Sequence, residues 1–314
     1  MSIAVENINE RFDAAFAIHR GSRLRKLMRG TVGIADSKLL EVLLKGLRLS
    51  MKRKANLVWG EEMTVVYPEI ASLGLGRYGF FADGLTKLVL TQVKPGNTFL
   101  DVGAQLGYFT LLAAWLVGDA GQVPSFEPTP QTFDILKLNA GEKPNVRLNQ
   151  VAVAAYQGTA TLNDYGPSFS AFNSMFNANL PQGSGRVRPT QVRVDTISIE
   201  EYVAERGLTP DFVKIDAENA DFEILQGMES TIAKRHPTFS VEVGDMDIPG
   251  VPPSKDIVRF LQDRDYAPYE HVDGEFVAHE PRERYEHGDL YFLPVGSQRL
   301  PASNISASSL SPKA

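Results

Sequence analysis

Cysteine is absent from the 314-residue chain. Its absence excludes disulfides, cysteine-ligated zinc, iron–sulfur clusters and a thiolate nucleophile. The sequence also lacks an apolar run of the roughly 18 residues that a membrane-spanning helix needs. Residues 1–20 lack the compact apolar stretch of a secretory signal. We therefore expect no transmembrane segment, and we expect a cytoplasmic location, with which the missing cysteines are compatible.

Basic residues are scarce outside the first part of the chain. The formal net charge is −6, which argues against a nucleic-acid partner. Residues 1–60 hold twelve Lys or Arg and five Asp or Glu, a balance of +7, so the remaining residues carry −13. Hydrophobic residues make up 43% of the chain, which is enough to form an ordinary globular core.

Helical periodicity covers residues 4–30 and 36–54. In the second segment, leucines recur on one face: Leu39, Leu40, Leu43, Leu44 and Leu47. We expect this face to pack on the following domain or on a second copy in a homo-oligomer, because exposed leucines are costly. A peripheral membrane contact through residues 36–54 is the alternative.

The chain divides into three predicted regions. Residues 1–60 form a basic helical N-terminal extension, and residues 61–295 form the main domain. Residues 296–314 are rich in Ser and Pro and are predicted to be disordered.

Strands and helices alternate from residue 96 onward. Such alternation predicts an α/β fold with a doubly wound, mostly parallel sheet. The predicted strands are 98–102, 122–126, 146–148, 191–194, 212–215, 238–243, 266–270 and 290–293, with a strand pair around Gln157-Gly158. The predicted helices are 108–117, 130–140, 198–206, 220–228 and 254–265. Residues 163–185 are predicted to form a long loop.

The first predicted strand ends in an acidic residue followed by glycines. Asp101, Gly103 and Gly107 give the pattern D-x-G-x-x-x-G, whereas dinucleotide folds use G-x-G-x-x-G. An acid at this position repels a pyrophosphate and attracts an ammonium group, which S-adenosylmethionine (SAM) carries. Glu127 ends the next strand and is placed to accept both ribose hydroxyls. These features favour SAM over NAD, although a glycine turn with a surface acid is the simpler alternative.

Five stretches resemble the FkbM family of methyltransferases, in order, within residues 77–294. They are Lys94–Ala114, Ser125–Asn139, Val192–Val203, Asp211–Met228 and Pro237–Val243. The resemblance implies the class I methyltransferase fold, which is Rossmann-like. It also implies SAM as cofactor and O-methyl transfer to a sugar, glycan or natural-product hydroxyl. This chain has Glu218-Asn219 where the family usually has Glu-Gly.

The same motifs give the predicted site. The expected cofactor-binding residues are Asp101, Gly103, Ala104, Gly107, Tyr108, Glu127 and Pro128. Asp216, at the end of the fourth strand, is predicted to orient the acceptor or take its proton. The alternatives for Asp216 are a cap on the next helix or an ion pair with Lys214. His287, just before the last strand, is a second candidate base.

Three further questions stay open at this stage. Glu242 is a second acid facing the cleft, so Mg²⁺ is conceivable, but it is not favoured without a denser acid cluster. Two roles are open for the loop 168–176. It could form a lid over the acceptor, or Phe172 and Phe176 could pack as a pair in the core. A non-catalytic SAM-binding scaffold subunit is the alternative function, and it would retain Asp101 and Glu127 without a usable base.

Overall fold

The computed structural model describes residues 2–21, 32–47, 49–166, 169–170, 173–176 and 188–297. Its α-helices are α1 Ser2–Arg20, α2 Val32–Leu47, α3 Ile70–Tyr78, α4 Asp83–Gln92, α5 Tyr108–Val117, α6 Pro130–Ala140, α7 Ile199–Arg206, α8 Asp221–Gln226, α9 Glu229–Arg235 and α10 Ser254–Gln262. Its strands are β1 Met51–Asn56, β2 Glu62–Tyr67, β3 Phe99–Val102, β4 Val123–Phe126, β5 Val146–Asn149, β6 Ala152–Val153, β7 Gly158–Asp164, β8 Thr190–Ile197, β9 Phe212–Ile215, β10 Thr238–Val243, β11 Tyr266–Val272, β12 Glu275–Ala278 and β13 Gly288–Pro294.

The main sheet has eight strands in the order β12-β11-β13-β10-β9-β3-β4-β5. The five strands from β10 to β5 in this order are parallel to one another. The strand β13 is antiparallel to β10, β11 is antiparallel to β13, and β12 is antiparallel to β11. Side chains of β3 alternate between two cores, with Phe99 in one and Leu100 and Val102 in the other. Both faces are therefore covered, and the predicted class I methyltransferase fold, a doubly wound and mostly parallel α/β sheet, is confirmed.

The central strand β3 positions the candidate site. It lies between β4 and β9, and its register places Asp101 beside Ser125 on one neighbour and Lys214 on the other. Parallel strands bring their carboxyl ends to one edge of the sheet, where ligands bind in such folds. Residues that follow β3, β4, β9 and β10 consequently meet there.

A three-stranded sheet accompanies the main one, and it corrects one prediction. We expected the strands around Gln157-Gly158 to pair with each other. Instead β8 lies between β6 and β7, parallel to the former and antiparallel to the latter. The lengths of the strands explain this pairing. The strand β8 is long enough to pair with every residue of β7, whereas β6 has only two residues.

The second N-terminal helix is shorter than its periodicity indicated. It ends at Leu47, and residues 51–54, predicted helical, belong to β1, which pairs antiparallel with β2. Met63 and Val65 of β2 are fully buried, so tertiary packing overrides local propensity here. The boundary expected at residue 60 falls in the turn of this hairpin. Residues 22–30 of the predicted first helix, residue 31 and residues 298–314 of the predicted tail lie outside the described residues.

The N-terminal helices pack on the main domain. Ile8 and Phe12 of α1 are buried, and the Phe12 ring meets the edge of Phe80. In α2 the leucines divide, because Leu44 is buried whereas Leu39 is largely exposed. The packing that we expected for the whole leucine face is therefore confirmed for the buried Leu44 but not for the exposed Leu39. No described helix has the length and apolar composition needed to cross a bilayer.

Candidate active site

A cavity of about 500 Å³ opens at the carboxyl edge of the sheet. Seven predicted site residues line it, namely Gly103, Ala104, Tyr108, Glu127, Pro128, Asp216 and His287. Two others, Asp101 and Gly107, do not line it. The structure thus brings predicted residues from four separate segments to one cavity.

Two glycines of the first motif allow close backbone approach. Gly103 has φ +73°, and a Cβ there would stand 1.8 Å from the carbonyl oxygen of Asp216. Gly107 has φ +97°, and its Cβ would stand 2.6 Å from Leu136 Cδ1. Only glycine fits both requirements. Gly107 therefore lets α5 begin against α6, whereas Gly103 lets the β3 and β9 loops meet at the cavity.

Asp101 lies beneath the cavity and is completely buried. Its Oδ2 accepts a hydrogen bond of 2.6 Å from Thr110 Oγ1, and its Oδ1 lies 3.4 Å from Lys214 Nζ. Lys214 in turn donates to the carbonyl oxygens of Val102 and Gly103, at 3.2 and 2.8 Å. Asp101 thus supports the loop after β3 from below. Asp101 does not line the cavity, and the direct contact with an ammonium group expected from the sequence stays a prediction.

Asp216 stands on the other side of Lys214, with Oδ2 3.4 Å from Nζ. Its side chain is 42% exposed and lines the cavity. Burial lowers the pKa of Lys214, but the charges of Asp216 and Asp101 outweigh it and raise that pKa above its usual value. The ion pair expected as one alternative is therefore present. The helix α8 has no side-chain cap, and Asp221, its first residue, accepts from the amides of Ala217 and Asn219 in the preceding turn.

Glu127 lines the cavity at the end of β4. Its two oxygens accept backbone hydrogen bonds from Thr129 and Gln105, at 2.9 and 3.1 Å. Burial raises the pKa of Glu127 to about 7, against these hydrogen bonds and the charge of Lys214. A carboxylate offers about four acceptor positions, so two stay available for a ligand's hydroxyl groups.

Three carboxylates converge at the β9 and β10 ends of the cavity. Oxygen atoms of Asp216, Glu218 and Glu242 all lie within 4.8 Å of one another. Burial and then the charges of Asp216 and Asp221 raise the pKa of Glu218 to about 9. Burial and the same acidic neighbours raise the pKa of Glu242 well above its usual value. The sequence predicted only two acids here, and three oxygen donors at this spacing fit Mg²⁺ in chemical type.

His287 completes the acidic end of the cavity. Its Nδ1 lies 3.4 Å from Glu242 Oε1, and its side chain is 61% exposed. The carboxyl of Glu242 is thus placed to orient the imidazole through one nitrogen. The contact uses Nδ1 rather than Nε2, and His287 lines the cavity.

Glu69 is a lining residue that the sequence interpretation missed. It is 1% exposed, and its oxygens accept from the amides of Ala71 and Ser72 at 2.8 and 2.7 Å, which caps α3. Its cavity partner is the side chain of Gln105, whose Nε2 lies 3.5 Å from Oε1. An acid two residues before Ala-Ser is a readable capping signal. Its position in the cavity depends on packing with residues far along the chain.

The departure from the family pattern has a structural explanation. Asn219 has φ +79° and Glu218 has φ +50°. The left-handed region favours glycine, and asparagine is among the residues that tolerate it best. Asn219 therefore keeps the turn that glycine forms elsewhere.

The loop after β7 reaches the cavity through Asn173 and Ser174. Ser174 Oγ donates to the carbonyl oxygen of Glu218 at 2.6 Å. Contact with the cavity agrees with the lid hypothesis. Phe172, half of the alternative core pair, lies outside the described residues.

Comparison with known proteins identifies the family. The model of the Methyltransferase FkbM domain matches residues 101–268. The 31-O-demethyl-FK506 methyltransferase FkbM of Streptomyces tacrolimicus is 27% identical over 183 residues, which cover 50% of this chain and 68% of that protein. The hexuronic acid methyltransferase AglP of Haloferax volcanii is 27% identical over 150 residues, which cover 46% of this chain and 56% of that protein.

Solved structures of methyltransferases also resemble this chain. The methyltransferase FkbM from Methylobacillus flagellatus is 15% identical, with a TM-score of 0.39, and the match covers 62% of this chain and 43% of that one. A SAM-dependent O-methyltransferase from Thermotoga maritima is 11% identical, with a TM-score of 0.37, and the match covers 79% of each chain. The family model spans more than half of the sequence, and on that match the chain belongs to the FkbM family of SAM-dependent methyltransferases.

Proposed function

We propose that this protein transfers a methyl group from SAM to a hydroxyl of a sugar, glycan or natural-product acceptor. The observation that carries the proposal is the acidic lining of the cavity. Among its described lining residues are five acids, Glu69, Glu127, Asp216, Glu218 and Glu242, against a single lysine, Lys214. SAM brings a sulfonium and an ammonium group, for which carboxyl oxygens are suitable partners even where burial keeps some of these carboxyls protonated, whereas the pyrophosphate of a dinucleotide would find one cation among five acids.

We assign each part of SAM to residues of this cavity. Glu127 would accept the two ribose hydroxyls with the lone pairs that its backbone partners leave available. The amino-acid end would lie along the loop from Gly103, with Ala104 and Tyr108 beside it. Asp101 would support that loop through Lys214 rather than touch the cofactor. The sulfonium would then face the acidic end of the cavity.

Methyl transfer from a sulfonium needs alignment and removal of one proton. The acceptor oxygen forms a bond to the methyl carbon as the carbon–sulfur bond breaks, and S-adenosylhomocysteine (SAH) leaves as a neutral thioether. Asp216 would orient the acceptor by accepting a hydrogen bond from a neighbouring hydroxyl. His287 Nε2 would take the proton of the reacting hydroxyl, while Glu242 would hold the imidazole in place through Nδ1.

The acceptor class rests on the curated relatives. One is named for a demethylated FK506 substrate and the other for a hexuronic acid. Both names describe oxygen-rich acceptors, which agrees with a site that carries carboxylates for hydroxyl recognition. The chain spans 56% of the second relative, so its own acceptor is a proposal.

Two measurements test this function. Calorimetry should show SAH binding and no NAD binding, and the reverse would refute the proposal. Incubation with trideuteromethyl-SAM and a panel of sugars, glycans and macrolides should give products that gain one labelled methyl group. SAH binding without any product across the panel and source extracts would favour the scaffold alternative.

The same assay addresses the metal. Asp216 and Glu242 belong to the catalytic arrangement proposed above, so methyl transfer should persist in EDTA. Loss of activity that Mg²⁺ restores would instead assign the three carboxylates to a metal ion.

A further inference from the structure

Helix α2 keeps an apolar face in solvent. Leu39, Val42, Leu43 and Leu47 are 72, 71, 55 and 59% exposed, and we call these four side chains the apolar helix face. The chain leaving the helix continues the pattern, because Leu49 is 56% exposed. Apolar side chains scattered singly on a surface are ordinary, but a group on one helix face marks an interaction site.

The opposite side of α2 fixes the helix on the protein. Leu44 is buried in the main core, and Ser37 accepts a hydrogen bond of 3.0 Å from Arg77 Nε. Glu41 forms an ion pair with the same arginine. At roughly 100° per residue, Ser37, Glu41 and Leu44 share one side of the helix. The apolar helix face therefore points outward on a helix that is already anchored.

Lysines flank and follow the apolar helix face. Lys38 and Lys45 lie on one flank of α2, and Lys52 and Lys54 are exposed on β1, the next element of the chain. Residues 37–54 carry six Lys or Arg and a single acid, although the whole chain has a net charge of −6. Leucines bordered by lysines suit the boundary between lipid headgroups and acyl chains when the headgroups are anionic. A second copy would instead bring like charges together across the contact.

We propose that α2 and β1 bind the surface of an anionic lipid bilayer. The apolar helix face would enter the headgroup boundary, and the four lysines would contact lipid phosphates. The anchor of α2 also connects this surface to the cavity. Arg77 is near one end of α3, and Ile70, which lines the cavity, is at the other end, about 10 Å of helix away. Bilayer binding would thus hold the cavity rim close to the membrane.

Vesicle sedimentation of the full-length protein tests the proposal. We expect binding to phosphatidylcholine vesicles that contain phosphatidylglycerol, and binding at least about tenfold weaker to vesicles of phosphatidylcholine alone or at high salt. The triple variant Leu39→Ser, Val42→Ser and Leu43→Ser should lose at least about tenfold in affinity. The triple variant Lys38→Gln, Lys52→Gln and Lys54→Gln should lose a similar factor on the anionic vesicles only.

Leu138→Ser supplies the matched control, because Leu138 is 65% exposed on α6 and is not part of the surface formed by α2 and β1. It should bind like the wild type, and circular dichroism should show that every variant is folded. The proposal would be overturned if the wild type did not bind anionic vesicles. It would also be overturned if the triple variant of Leu39, Val42 and Leu43 bound them as well as the wild type. A dimer that dissociates in the leucine variant, without vesicle binding, would overturn it in favour of a second copy.

Discussion

Lys214 Nζ lies 3.4 Å from Asp101 Oδ1, and both side chains are buried at the centre of the sheet. The two residues face each other in the register of β3 and β9. Asp101 Oδ1 has no hydrogen-bond partner among the described residues, so the lysine charge is its main compensation. Since Lys214 also bonds the carbonyl of Gly103, one ion pair holds the loop that shapes the cavity.

Lys214→Met should therefore strongly destabilise the fold. Removing one partner of a buried ion pair leaves an uncompensated charge and typically costs about 3–5 kcal/mol. We expect a loss of that order in the free energy of unfolding, measured by urea denaturation. Adding Asp101→Asn should recover part of the loss, because it removes the unpaired charge. Strictly additive effects in the double variant would contradict the pairing.

Glu127 should make cofactor affinity depend on pH. Its pKa is about 7 in the free protein because it is buried, so it is protonated below that pH and ionised above it. Ribose hydroxyls donate to the ionised form, and SAH affinity should rise several-fold between about pH 6 and pH 8. Calorimetry of Glu127→Gln should show weaker binding by about 1.5–3 kcal/mol and a flatter pH dependence. A variant with the wild-type affinity and slope would remove Glu127 from the ribose role.

Local patterns predicted the elements that surround the cofactor site. Helices α5 and α6 and strands β9 and β10 agree with their predicted bounds. Each is a short, strongly apolar or periodic segment bounded by Gly, Pro or Asp, so local propensity and burial favour the same structure. The mostly parallel, doubly wound character of the sheet followed from alternation, because parallel strands require crossover connections that are usually helices.

The other features of the fold and the site depend on contacts between residues that are distant in the sequence. The basic segment at residues 51–54 resembles a helix end, but pairing with β2 makes it a strand. Glu69 and Gln105 meet in the cavity although 36 positions separate them. Glu218 joins Asp216 and Glu242 only because its turn adopts positive φ. Sequence spacing carries no signal for such convergence without a family to compare.

Glu218 should weaken the fold as pH rises. Its pKa is about 9 in the folded protein, through burial and the charges of Asp216 and Asp221, against an ordinary value of 4.5. Between these values the folded state retains a proton that the unfolded state has lost. The free energy of unfolding therefore falls as pH rises through this window. Glu218→Gln removes this effect, so its stability relative to the wild type should be greater at about pH 8 than at about pH 5.5.

Urea denaturation at the two pH values measures that difference, and we expect at least about 1 kcal/mol. Glu142→Gln is the control, because Glu142 is exposed and remote from the acidic end of the cavity. Equal shifts in both variants would show that general surface charge, rather than the buried carboxyl, sets the pH dependence.

Substitutions of His287 and of Asp216 should both reduce turnover, but through different kinetic constants. With an acceptor that reacts, His287→Gln should lower kcat by roughly 10²–10⁴, the usual contribution of a general base. Asp216→Asn should instead lower kcat/KM for the acceptor, because Asp216 orients the acceptor. SAH affinity should change little in either variant, since neither residue meets the ribose.

The matched control for these variants is His236→Gln, because His236 is exposed at the end of α9 and does not line the cavity. It should leave the rate and its pH profile unchanged. Glu242→Gln tests the orienting partner, and it should lower kcat less than His287→Gln does. Near-wild-type turnover in His287→Gln, together with a fall in kcat of that size in Asp216→Asn, would move the proton transfer to Asp216. The reason is that the Asp216 carboxyl lines the same cavity, is 42% exposed and lies 3.4 Å from Lys214 Nζ.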